Sequence, residues 1–402
     1  MKLNSCIKRY KKDTHRVISP RETLTNIEPK SKIAGITDVV EITNLDRIGI
    51  PVFSSVRLDA ERGSISAYNG KGTTPVEAKV STIMEGIERY SAEIQNRPTI
   101  IKSYSSLLKS ENALDPKELI LPRHYTSVEN IPIPWVKGYD LMKKEEIFVP
   151  ANAVFHPLPS RYNRLFRTNT NGLASGNKIE EAIFHGLAEA IERDAWSLVE
   201  MTRDTGPNIL IEKGNSFDLL NKFSSANVSV YIKDITSDVG IPTFAAASED
   251  VLSKDPTLLV IGMGSHTNVD VALIRALTEV AQSRLTQIHG LKVDMRDTLF
   301  KKRTGYEGIR NMNDYWFDAS ESRKLNETRS LDYDDFMDDI NYTIERLKSV
   351  GLNHVIVVDL TKGEIGIPVV KVIVPGLEVY AMDPERLGQR CINFKNKHIH
   401  KT

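Results

Sequence analysis

Three stretches of this chain have the 3.6-residue apolar period of an amphipathic helix but carry acidic polar stripes with no lysine between the acids. In the first, after a Thr74-Pro75 start signal, Ser81, Glu85 and Glu88 fall on one face and Arg89 follows. Ile83, Ile87 and Ile94 form its separate apolar stripe. In the second, predicted from about Lys178 to Asp204, Glu181, His185, Glu189 and Glu192 recur at spacings of four, four and three, with Arg193 adjacent. Ala182, Ile183, Leu187, Ala190 and Ile191 make its opposite side apolar. In the third, from about Val269 to His289, Arg275, Glu279 and Gln282 share a face and Arg284 follows. Glutamates so spaced repel one another, where an ordinary surface helix would pair Glu with Lys. A hard divalent cation relieves that repulsion, and Mg2+ at a nucleotide takes one or two carboxylates together with phosphates and water. Arginines beside the acids supply forked donors for phosphate oxygens. The set fits a magnesium-nucleotide site. Spacing alone leaves the other reading open: each stripe a solvated face, His185 a partly buried helix residue, Arg284 a salt-bridge partner.

The remaining pattern predicts a mixed α/β (α+β) protein. Residues 33–67 hold β-branched runs broken by Gly, Pro and Asn, the mark of an antiparallel sheet. Short strands and turns follow over 98–156, and strands again between the second and third helices. A helix near 333–350 precedes two buried-looking strands, HVIVVDLT and VVKVIVPG. No linker rich in Pro, Gly or Ser divides the 402 residues, so 31–390 reads as one composite unit. Residues 1–30 are polar, 291–332 look like a charged, irregular insertion or mobile loop, and 391–402 a loosely held basic tail.

Lys+Arg and Asp+Glu are equal at 53 each, which gives no electrostatic reason to expect nucleic acid or an anionic membrane as partner. No apolar run is long enough to span a bilayer. The N-terminus lacks the apolar segment of a signal peptide. With Cys6 and Cys391 the sole cysteines, zinc and disulfide frameworks are not expected, and the cytoplasm is the default compartment. There is no P-loop, Rossmann fingerprint, kinase HRD/DFG set, GxSxG elbow or HExxH.

Four blocks carry a family resemblance: residues 42–93 (ITNLDRIG…GIERYSAE), 169–196 (NTNGLASG…IERDAW), 275–285 (RALTEVAQSRL) and 368–378 (PVVKVIVPGLE). In this order they resemble the YcaO-domain family. The resemblance implies a composite fold of mixed and antiparallel sheets, with long amphipathic helices around a site for ATP and Mg2+. Ser81, Glu85 and Glu88 match its SxxxExxE element, for nucleotide and Mg2+. Glu181, Glu189 and Glu192 match the second acidic element, with Mg2+ as their main ligand, and Arg193 the arginine that reaches the phosphates. Gln282 and Arg284 match the third element, with Arg284 near phosphate. Lys12 and Ser19 look like the N-terminal pair that closes over the nucleotide, so that 1–30 reaches the site. Ala174 or Ser175 stands where some relatives place a nucleotide-contacting serine. Glu189, Glu192, Arg193 and Arg284 are the catalytic set so implied, and His185 is a proton-transfer candidate by position.

Such enzymes activate a backbone amide by phosphorylating its oxygen. A Cys, Ser or Thr nucleophile then gives an azoline, and external sulfide gives a thioamide. The chain has no C-terminal PxPxP and no fused leader-binding domain before residue 40, like the stand-alone thioamide-forming proteins of methanogenic archaea. Those modify a glycine of methyl-coenzyme M reductase, some with a TfuA partner that delivers sulfide. A peptide or protein substrate and a homodimer are the partners expected. An azoline-forming cyclodehydratase and an ATP-binding accessory protein without turnover are the alternatives.

Overall fold

The computed structural model describes residues 1–399 apart from 62, 96, 126 and 291–294. Helix α1 (Pro20–Ser31) starts at a capping box in which Ser19 and Glu22 satisfy each other's backbone N–H. Helix α2 (Pro75–Ser91) starts in the same way at Thr74 and Glu77, with Pro75 in its first turn as its sequence predicts. Helices α3 (Ile179–Thr202), α4 (Val269–His289), α5 (Phe336–Ser349) and α6 (Gln389–Ile399) complete the frame. None of the helices described is long and apolar enough to cross a membrane.

Each acidic helix lies on a sheet of its own. Helix α2 covers the antiparallel sheet of Ile36–Glu41, Val52–Arg57 and Ala67–Lys71. Helix α3 packs on a six-stranded sheet through Leu173–Ser175 and Val369–Ile373. Helix α4 packs on a five-stranded sheet through Thr243–Glu249 and Ile261–Ser265. The predicted apolar stripes face these sheets: Ile83, Ile87, Ile183, Leu187 and Ile191 are all buried. Close approach needs glycine in the strand. A Cβ on Gly70 would lie 2.0 Å from the Thr82 nitrogen of α2, and one on Gly264 would lie 2.1 Å from the Ala272 oxygen of α4. With apolar faces against three sheets, the acidic stripes turn inward to a shared space.

Two expectations are corrected. Most of 291–332 is ordered packing rather than an irregular insertion (291–294 lie outside the described residues). Helices Met295–Thr304, Tyr306–Met312 and Asp314–Phe317 lead to Ser322–Lys324, which pairs parallel with Asn208–Leu210. Ile309, Trp316 and Phe317 are buried against Ala245 and Met263. The apolar residues here are few and widely spaced, so short helices escape a periodicity reading. Nor is the tail loose as far as Ile399. Helix α6 docks on α3, Cys391 is fully buried, and Arg390 grips Asp194 through two hydrogen bonds of 2.9 and 2.8 Å. Residues 400–402 lie outside the description.

Candidate functional site

A cavity of about 570 Å3 opens where α2, α3 and α4 meet. Ser81, Glu85, Glu88 and Arg89 reach it from α2, Glu181, His185, Glu189 and Arg193 from α3, and Gln282 from α4. Arg275 and Glu279 of α4 also line it. The three stripes therefore do face one another, which their spacing could not establish.

Each wall is held by the local fold. Glu88 Oε1 accepts hydrogen bonds from the Ser175 N–H at 2.8 Å and its hydroxyl at 2.7 Å, tying α2 to the strand that enters α3. Ala174 and Ser175 both line the cavity, and the serine is the one that engages Glu88. Glu85 lies 3.3 Å from Arg89, one turn on. Glu181 accepts from the Val17 N–H at 3.0 Å and from Asn177. Gln282 donates to the Asn69 carbonyl and joins α4 to the sheet below α2. Glu192 is buried behind the lining. One of its oxygens lies 3.3 Å from Arg193, and Oε2 accepts no hydrogen bond from the described residues.

Burial dominates the electrostatics. It lifts Glu88 to about 7, with Glu85 and Glu189 adding repulsion against the Ser175 hydrogen bonds. Glu181 and Glu189 are raised for the same first reason. Burial, then Arg16 and Arg275, keeps His185 far below its ordinary value and therefore neutral. That environment opposes the role of proton acceptor, and Arg16 already donates to Nε2. Glu279 is held below its usual range in spite of burial, because Lys71 and Arg193 face it. Lys371, buried near Glu189, is pulled down to about 7 by burial.

Three expected ligands lie elsewhere. Arg284 is fully buried away from the cavity, with Nε 2.7 Å from Asp46 Oδ2 and Nη2 3.0 Å from Asp250 Oδ2. Its charge is taken up by those aspartates, which replaces the expected phosphate contact. Lys12 is exposed and Ser19 caps α1, and neither lines the cavity. The N-terminal segment reaches the site through other side chains. Asp13 accepts from Thr73 at 2.6 Å and from Asn215 at 2.5 Å, and Arg16 projects between Glu181 and His185. Sequence reasoning missed both, together with Lys71, which pairs with Glu279. The face shared by Arg275 and Glu279 was a usable signal, whereas nothing local singles out Arg16 among the basic residues of the N-terminus.

These groups fit Mg2+ with a triphosphate. Among the described residues the buried Nε of Arg275 finds no acceptor and the Oε2 of Glu192 no donor. Among the described residues no three carboxylate, imidazole or thiol groups are close enough to hold a metal by themselves. That suits an ion which takes its other ligands from phosphates and water.

Comparison with known proteins agrees. The family model for YcaO cyclodehydratase, ATP- and Mg2+-binding, matches residues 69–378. The chain is 47% identical over 383 residues to an uncharacterized protein of Methanothermobacter thermautotrophicus, covering 93% of this chain and 98% of that one. It is 29% identical over 392 residues to an uncharacterized protein in the tfuA 3′ region of Rhizobium leguminosarum bv. trifolii, with coverages of 94% and 92%. The solved structure of YcaO from Methanopyrus kandleri, bound with AMPPCP and Mg2+, superposes with a TM-score of 0.82 at 28% identity. That match covers 96% of this chain and 98% of that one.

Proposed function

The chain belongs to the YcaO family, whose cofactors are ATP and Mg2+, and on that premise we propose that it converts a backbone amide of a peptide or protein into a thioamide, with sulfide as the sulfur source. The observation that carries this reading is the cavity in which carboxylates of α2 and α3 face guanidinium groups of α3, α4 and the N-terminal segment. Bound MgATP would supply the phosphoryl group that turns a poor leaving group, the amide oxygen, into a good one. The residues position and neutralise. Glu88 and Glu189 would share the metal with phosphate and water, with Glu181 and Glu85 beside them and Glu192 behind. Arg193, Arg275 and Arg16 would meet the phosphates. Lys71 sets Glu279 at the edge of α4, and Gln282 fixes that edge to the neighbouring sheet.

Sulfide is favoured as nucleophile by the likeness to a protein of the tfuA 3′ region, which supports a TfuA-like partner that delivers sulfur. The likeness to a Methanothermobacter protein supports a glycine of methyl-coenzyme M reductase as target. The test is mass spectrometry of a glycine-containing peptide of that reductase after incubation with the full chain, ATP, Mg2+ and sulfide. One sulfur in place of one oxygen is the expected change. Loss of one water from a Cys, Ser or Thr peptide would instead establish the azoline reaction. ATP binding without phosphate release, with every substrate present, would establish an accessory role.

A further inference from the structure

Behind Glu189 lies a second, smaller cavity of about 60 Å3. That is room for roughly two waters, and too little for a nucleotide or a peptide. Its wall toward the main cavity is one residue thick. Thr170 lines the main cavity while Asn169 and Asn171 line the small one, and Glu189 and Ala190 divide in the same way. Leu173 faces the main cavity, and its partner across the sheet, Lys371, faces the small one.

The lining is cationic and undercompensated. Lys371 is 2% exposed, and its ammonium donates to the Asn169 carbonyl at 3.1 Å. No carboxylate among the described residues lies within ion-pair distance of it. Arg386, also buried, donates to the carbonyls of Ile120 at 2.8 Å and Leu119 at 2.5 Å, with its guanidinium 3.8 Å from the Phe166 ring centroid. All of these acceptors are neutral, and the acids that act most on the two cations, Glu189 on Lys371 and Asp383 on Arg386, do so from beyond ion-pair distance. Of the nearby acids, Glu118 is exposed at the rim, and Glu378 accepts the backbone N–H groups of Gly388 and Cys391. Asn171 supplies a buried Oδ1 that accepts no hydrogen bond from the described residues. The complement is a small anion that carries one hydrogen to donate.

We propose that this cavity holds hydrosulfide, with its charge against the Lys371 ammonium and its S–H toward Asn171 Oδ1, as the store from which sulfur enters the main cavity. The inference rests on the thioamide reading above. Hydrosulfide adds through sulfur to the amide carbon, a C–S bond forms, and the carbonyl π pair moves to oxygen. That oxygen takes the γ-phosphoryl group of ATP as the bond to ADP breaks; the C–O bond then breaks, inorganic phosphate leaves with the oxygen and the former S–H proton, and C=S remains.

Two measurements on the full chain test it. In crystals soaked in sodium bromide, a halide of similar size to hydrosulfide, an anomalous peak is expected within hydrogen-bond distance of Lys371 Nζ. It should be lost in Lys371→Gln. In the thioamidation assay Lys371→Gln should raise KM for sulfide by about tenfold or more, as expected when a buried charge loses its partner. KM for ATP should stay unchanged, and Lys371→Arg should restore most of the sulfide affinity. No bromide at Lys371, or an unchanged sulfide KM in a Lys371→Gln protein that still thioamidates, overturns the pocket alone. If the wild-type chain removes water and adds no sulfur, the reading beneath the proposal falls with it.

Discussion

Two buried clusters of arginine and carboxylate sit at opposite sides of α4, and they behave differently. In one, Arg284 is matched by Asp46 and Asp250, and Arg47 adds a second cation 2.7 Å from Asp250. Asp250 is accordingly held well below the usual carboxylate range in spite of burial, by hydrogen bonds from Arg47, Ser253 and Arg284. In the other, around the cavity, Glu88, Glu181 and Glu189 are pushed upward by burial. Paired charges that stabilise one another hold the fold. Charges kept apart in a cavity await a ligand. In sequence both clusters show the same thing, an arginine near acids.

Breaking the paired cluster should have the largest effect. Arg284→Ala leaves Asp46 buried without its cation and Asp250 with Arg47 alone, and should destabilise the protein by about 3–5 kcal/mol in chemical denaturation. KM for ATP in the folded fraction should not change. Next, Arg193→Ala should lower ATP turnover by about 10²–10³-fold, the range for losing one oriented donor. Thermal unfolding should barely move, which is the reverse of the Arg284 result.

A pH series sharpens the contrast. Because Glu88 is raised to about 7, the folded chain binds more protons there than the unfolded chain between the ordinary carboxylate range and neutrality. Its contribution to ligand-free stability therefore falls as pH rises through that window, and magnesium-nucleotide affinity rises as the carboxylate forms. Both slopes should flatten in Glu88→Gln, read by thermal unfolding and calorimetric titration. The smallest effects belong to the expected nucleotide contacts that the fold places elsewhere. Ser19→Ala should cost about 1 kcal/mol through loss of the α1 cap, with ATP affinity unchanged. Lys12→Ala, at an exposed position, should alter neither in the same assays.

The sequence made the helices and their acidic stripes readable, since Ile83 and Ile87, like Ile183, Leu187 and Ile191, mark by period which side is buried. Convergence was not readable, because it depends on three separate sheets each turning a helix inward. Nor was the fate of Arg284 and Arg193. Each follows an acidic or polar stripe, and what separates them is the distant Asp46 and Asp250, which are 238 and 34 residues from Arg284. The N-terminal segment was expected to reach the site, but its reach depends on a tight hairpin that pairs Tyr10 with Arg16 and Lys11 with His15. The turn points Asp13 and Arg16 inward and leaves Lys12 exposed.

In the proposed site, acids from two helices share one metal bound to a nucleotide. Crystals soaked with a non-hydrolysable ATP analogue and Mn2+ test it directly through manganese anomalous scattering. The expected result is a peak coordinated by phosphate oxygens and by carboxylates of both α2 and α3, with the phosphates on the Arg193 side. A peak bound by one helix alone, or nucleotide ordered outside this cavity, would contradict it.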